Sequence, residues 1–211
     1  MTLPTSGLIT INDRGARTAT TFGSVSADGG NMVFIKKLTA SSSGTLDFVN
    51  GTSDVVLDST YKEYMFTFSS MHPETDGANF QVGFRDGSTD YDATKTSSFF
   101  RAQHEEDGSS STLGYDTDFH LTQSTSFQTI IGSESADNDQ ASSGYLHLFD
   151  PASTTFVKHY IAVVSNSNLN DYARVGYTAG YCNVTAAIDA VQFKMSSGDI
   201  DAGTISLYGI L

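Results

Sequence analysis

Five histidines and three groups of loop carboxylates are the residues whose chemistry could serve catalysis or metal binding. The histidines are His72, His104, His120, His147 and His159. A zinc site needs three or four such donors converging on one point, held by outer hydrogen-bond partners. Only His147 and His159 fall in neighbouring strand-like stretches, and the pairing expected for those stretches points them to opposite faces. The carboxylates are Asp86, Asp90 and Asp92 in DGSTDYD, Glu105, Glu106 and Asp107 in HEEDG, and Glu134, Asp137 and Asp139 in SESADND. Oxygen-rich loops can hold Ca²⁺, which takes six to eight oxygen ligands. None has the EF-hand spacing, and runs of acid are ordinarily solvated surface. A glycosidase needs only two carboxyls at a set separation. Nothing here selects a pair, and Trp for stacking on sugars is absent. There is no G-x-S-x-G, H-E-x-x-H, phosphate-binding Walker loop or paired Cys-x-x-Cys. The expectation is a non-enzymatic chain with no catalytic residue, no cofactor and no metal site.

Composition says what must position these residues. Apolar residues are 38% of the 211, charged residues only 17%, and 14 Phe and 10 Tyr supply the bulk. Aromatic and β-branched residues fit pleated, half-buried strands, and small polar residues fit turns. The net charge of −13 argues against a nucleic-acid partner, because displacing counterions from phosphates takes Lys and Arg. The lone Cys182 forms no disulfide framework and is expected as a small buried hydrophobe. No basic segment followed by an apolar one opens the chain, and no run is long enough to span a bilayer. Neither a signal peptide nor membrane insertion is therefore expected.

Residues 1–31 are small and polar with weak periodicity, and are expected to form a short N-terminal arm ahead of a domain at 32–211. From Met32 the alternation of period two begins. Strands are expected at 32–38, 45–49, 54–58, 61–68, 80–84, 97–103, 115–121 and 127–131. Two hairpins follow. In GYLHLFDPASTTFVKHYIAVV (144–164), with DPAS at the bend, Phe149 faces Phe156 and Tyr145 faces Tyr160. Leu148 then meets Val157 and Leu146 meets His159. Both faces of that hairpin are apolar, which suits a strand pair covered on both sides. Tyr145, Phe149, Phe156 and Tyr160 are accordingly expected at a subunit interface. In ARVGYTAGYC (173–182), Val175, Tyr177 and Tyr181 share one face, and Gly176 and Gly180 mark close approach on the other. The chain closes on AIDAVQFKMSSGDIDAGTISLYGIL, read as a hairpin with Met195 facing Ile205 and Phe193 facing Leu207. Ten to twelve strands without a helical stretch make an all-β fold, an antiparallel β-sandwich of jelly-roll type.

Four stretches carry a resemblance: MVFIKKLTASSSGTLDFVNG (32–51), LDSTYKEYMFTFSSMHPETDG (57–77), SGYLHLFDPASTTFVKH (143–159) and FKMSSGDIDAGTISLYGI (193–210). They resemble virion structural proteins of tailed bacteriophages of marine bacteria, including cyanobacteria. LPTSGLITIND (3–13) is similar to an opening segment of tail-associated proteins. The resemblance implies a β-sandwich appended to a virion, made in the host cytoplasm, with other virion proteins as partners. It brings no catalytic residue. A homo-oligomer is expected, a trimer by analogy with fibres. Capsid decoration is the alternative within that class. A lectin-like module binding a host-surface glycan through Tyr91, Tyr115 or Tyr172 is the alternative of another class.

Overall fold

The structure of the protein, a computed structural model, describes residues 31–211. Of the expected arm, residues 1–31, all but Asn31 lie outside the described residues. The period-two stretches form twelve strands: β1 (Met32–Ser43), β2 (Leu46–Val49), β3 (Glu63–Pro73), β4 (Phe80–Arg85), β5 (Lys95–Glu105), β6 (Ser111–Tyr115), β7 (Gln128–Ile131), β8 (Ser142–Phe149), β9 (Lys158–Ser167), β10 (Tyr172–Cys182), β11 (Ala190–Met195) and β12 (Ile200–Ile210). They make an eight-stranded sheet, β1-β12-β3-β8-β9-β10-β5-β6, and a four-stranded sheet, β2-β11-β4-β7. All ladders are antiparallel, and the sheets pack face to face as a β-sandwich.

Pairing is nested. β1 pairs with β12, β2 with β11, β3 with β8 and β4 with β7. The chain thus runs out and back while alternating between sheets, which is the jelly-roll topology. β5, β6, β9 and β10 are additions to this roll, and they widen one sheet from four strands to eight. The strands around the centre bury alternate residues: Tyr64, Phe66 and Phe68 from β3, Phe80, Val82 and Phe84 from β4, and Val191, Phe193 and Met195 from β11. Phe193 sits at the centre, with ring centroids of Phe68, Phe66, Phe80 and Phe48 at 5.2, 5.4, 5.8 and 6.3 Å.

Three local expectations are corrected. β11 and β12 are not a hairpin. β11 lies between β2 and β4, and β12 between β1 and β3. Their apolar residues are those expected, but they meet across the core rather than along a ladder. Alternation sets which face a residue takes and leaves the neighbour open. Second, β8 and β9 do form a hairpin, but Leu148 pairs with Tyr160, Leu146 with Ala162 and Tyr145 with Val163. Residues 150–157 form the connection, so the register is shifted by three residues from the expected one. An odd shift flips the face, and Tyr160 turns into the core. Third, residues 54–58 and 117–121 are not strands. Val55 and Leu57 plug one end of the sandwich from a loop held by the Leu57 N–H donating to Asn50 Oδ1 (2.9 Å). Thr117–Phe119 is a 3-10 turn whose Phe119 packs on Phe99 at 5.2 Å.

Gly176 and Gly180 mark close approach, as their spacing predicts. A Cβ on Gly180 would lie 2.5 Å from Tyr160 Oη and 2.8 Å from Ser97 Cβ. Tyr160 is fully buried and has nowhere to move. Gly180→Ala is therefore expected to cost about 1–3 kcal/mol, the range for overpacking a dense core. Chemical denaturation would read it, and an unchanged midpoint would show that the core yields.

Candidate functional site

The most distinctive surface is the outer face of the wide half of the eight-stranded sheet, built by β8, β9, β10, β5 and β6. Its residues are set by ladder register. One row across the strands is Tyr115, Phe100, Tyr177, Val163 and Tyr145. Phe100 and Tyr177 stack with centroids 4.8 Å apart and planes 8° apart. The next row along the strands reads Ser98, Ala179, Ile161 and His147. Its small residues leave a trough of about 560 Å³ lined by Thr96, Ser98, His159, Ile161, Ala179 and Tyr181. Leu113 and Tyr115, on edge strand β6, are each 75% exposed.

The outward positions of these five strands hold no Asp, Glu, Lys or Arg, and the Glu63 carboxylate of β3 reaches the margin of the face at His147. The five strands hold a single acid, Glu105, the last residue of β5. Their four cations, Lys95, Arg101, Lys158 and Arg174, alternate to the inner side, where Lys95 and Lys158 are fully buried. A protein with 24 Asp and Glu thus keeps one broad face free of them.

The four residues expected at an interface separate. Tyr145 is exposed on this face. Phe149 is half-buried at its margin, stacked on His147 at 6.1 Å. Phe156 is exposed in the β8–β9 connection rather than in a strand. Tyr160 is a core residue, packed on Phe84 at 5.0 Å, with its hydroxyl donating to Gln128 Oε1 (3.1 Å). It is unavailable to another subunit. Phe100, Leu113, Ile161 and Tyr177 are exposed apolar residues that sequence reasoning did not assign to this face. The signal for Tyr177 lay in the glycines opposite it, because Gly176 and Gly180 mark the inner side of β10.

Two polar clusters lie inside. Lys95, Cys182 and Lys158 form one ladder row facing inward. Lys95 Nζ donates to the carbonyls of Ala93 (2.6 Å) and Thr125 (3.4 Å). Lys158 Nζ donates to those of Val184 (3.0 Å) and Ala186. Burial holds both ammonium groups below the ordinary lysine range. Each lysine therefore pins a loop by its carbonyls. Burial also pushes the Cys182 thiol up to about 12, so it stays protonated and inert as a nucleophile.

The second cluster corrects an expectation. Glu134, read as part of a solvated acidic loop, is fully buried. Its backbone N–H donates to Ala78 O (2.8 Å) and its carbonyl accepts from Gly77 (2.8 Å), which roots the loop that follows. Asn166 Nδ2 donates to Glu134 Oε2 (3.4 Å) and to Gly132 O (3.3 Å), and Arg174 Nη1 donates to Gly132 O (2.9 Å). Burial pushes the Glu134 carboxyl up to about 8, against the opposing pull of Ser142, Asn166 and Arg174. Among the described residues, Glu134 Oε1 and Ser142 Oγ have no hydrogen-bond partner. A carboxyl that keeps its proton can donate from Oε1 toward Ser142.

His147 and His159 both point outward, which corrects their expected opposition. His147 Nδ1 bonds Glu63 Oε1, and His159 lies 5.9 Å from the Tyr181 ring. Among the described residues, no three His, Cys, Asp or Glu side chains gather as metal ligands would, and no helix is long and apolar enough to cross a membrane. No protein family, curated protein or solved structure matches this chain.

Proposed function

We propose that this chain is a structural protein of a bacteriophage virion: a non-enzymatic β-sandwich displayed on the particle, tail-fibre-like or tail-associated, that assembles as a homo-oligomer. The observation that carries the reading is the apolar, charge-free outer face of β8, β9, β10, β5 and β6 on a chain of net charge −13. Exposed contiguous apolar surface of that breadth marks an interaction site. Two further features support it. The stretches that resemble virion proteins fall on β1 and β2, β3, β8 with the connection that follows it, and β12, strands that belong to the frame of the roll. The two polar clusters inside the domain are occupied in holding loops together.

The lectin reading rests on exposed tyrosines, and two of its three are engaged. Tyr91 is half-buried beside Asp47, with the Arg85 guanidinium 6.0 Å from its ring. The Tyr172 hydroxyl donates to Glu105 Oε2 (3.3 Å). Tyr115 alone remains a free platform.

Immunogold labelling of purified particles with antibody to this domain tests the proposal. Label on the tail is expected. Label on the capsid shell would shift the assignment to a decoration protein, and unlabelled particles would refute a virion role.

A further inference from the structure

We infer that a second copy of this chain docks on the outer face of β8, β9, β10, β5 and β6 across a two-fold axis, ridge into trough. The inference rests on the homo-oligomer reading and adds the partner's placement. The ridge is the row Phe100, Tyr177, Val163 and Tyr145, and the adjacent row is Ser98, Ala179, Ile161 and His147. An axis lying in the interface, parallel to these rows and midway between them, carries each row onto the other. Phe100 and Tyr177 then meet the partner's small-residue trough, while Val163 meets the ridge's neighbouring row at its isoleucine position. The same two rows supply both halves of the contact, as an isologous interface requires.

Three observations favour a second copy as the occupant. Charge is the first. Two copies of net charge −13 repel except where acid is missing, and this face has no Asp or Glu at its outward positions. A basic partner would instead be drawn to the acidic loops at the sandwich ends. Shape is the second: across the axis Phe100 and Tyr177 oppose the small Ser98 and Ala179, and the smaller Val163 opposes the larger Ile161. Size is the third. Five strands of 5 to 11 residues, about 4.8 Å apart at about 3.4 Å per residue, cover roughly 730 Å². That is about the area one partner contributes to a stable interface.

Light scattering after size exclusion, at micromolar concentration, tests this. The parent chain is expected to be a dimer. Tyr177→Lys puts an unpaired charge in the seam, and Ala179→Trp fills the trough. Each is expected to raise the dimer dissociation constant at least about 30-fold, the effect of losing a hot-spot residue. Their melting and circular dichroism should stay those of a folded sandwich. Ser98→Lys, at an exposed position, replaces Ala179→Trp if the latter unfolds. Thr39→Lys on β1, at the far edge of the sheet, should leave the dimer intact. A trimer, or a dimer that the seam variants do not weaken, would overturn the two-fold seam and leave the homo-oligomer reading standing. A monomeric parent would overturn both.

Discussion

Phe193→Ala is expected to destabilise the domain by about 3–5 kcal/mol, the range for truncating a buried aromatic residue. Phe193 is fully buried and contacts four other phenylalanines drawn from both sheets. Removing it leaves the pairs Phe48–Phe66 and Phe68–Phe80, each at 5.2 Å, facing the space that its ring filled. The backbone there is held by ladders to β2 and β4, so the gap cannot close by local collapse. A domain of this size typically has only 5–15 kcal/mol in total. Each kcal/mol corresponds to about 2–4 °C of melting temperature, so a fall of roughly 10 °C is expected. Tyr145→Ala, on the outer face, should cost the isolated subunit far less. Equal losses from the two variants would contradict a core centred on Phe193.

Glu134→Gln is expected to make the domain more stable at alkaline pH. The folded carboxyl loses its proton at about 8, above its ordinary value of 4.5. Its contribution to stability is complete below pH 4.5, where both states hold the proton. It declines between 4.5 and 8, where only the folded state does, and is level above 8. At about 1.4 kcal/mol for each unit, the decline across that window totals roughly 4–5 kcal/mol. The glutamine is neutral throughout. Its amide oxygen can accept from Asn166 as Oε2 does, and its NH₂ can donate toward Ser142. The stability difference between variant and parent should therefore widen by about 3 kcal/mol from pH 5.5 to pH 9. Denaturant midpoints across that range measure it. Parallel profiles would mean that Glu134 is already ionised in the fold.

What was legible in the sequence was facing, not pairing. Val191, Phe193 and Met195 are buried as their alternation requires, and so are Tyr64, Phe66 and Phe68. The same alternation would serve either sheet, so the separation of β11 from β12 left no local trace. Tyr160 shows how little is needed to mistake a site. The eight-residue connection 150–157 moved the register by an odd number and carried that ring from the surface to the core. The two-sided apolar character of β8 and β9 was legible, and it led to the outer face. That the face continues through β10, β5 and β6 was not, because it depends on strands distant in sequence joining one sheet. Glu134 was hidden by its neighbours: six of the nine other residues in SESADNDQAS are Ser, Asp or Asn, and nothing local separates it from the solvated acids around it. Its burial arises from long-range partners, Asn166 and the Ala78 backbone.

The most direct measurement is cryo-EM of the particle that carries this chain, at a resolution that places side chains. The expected density is this sandwich on the exterior of the virion, with Phe100, Tyr145 and Tyr177 buried between copies. A particle lacking the chain, or one in which that face points to solvent, would contradict a virion protein that assembles through its wide sheet.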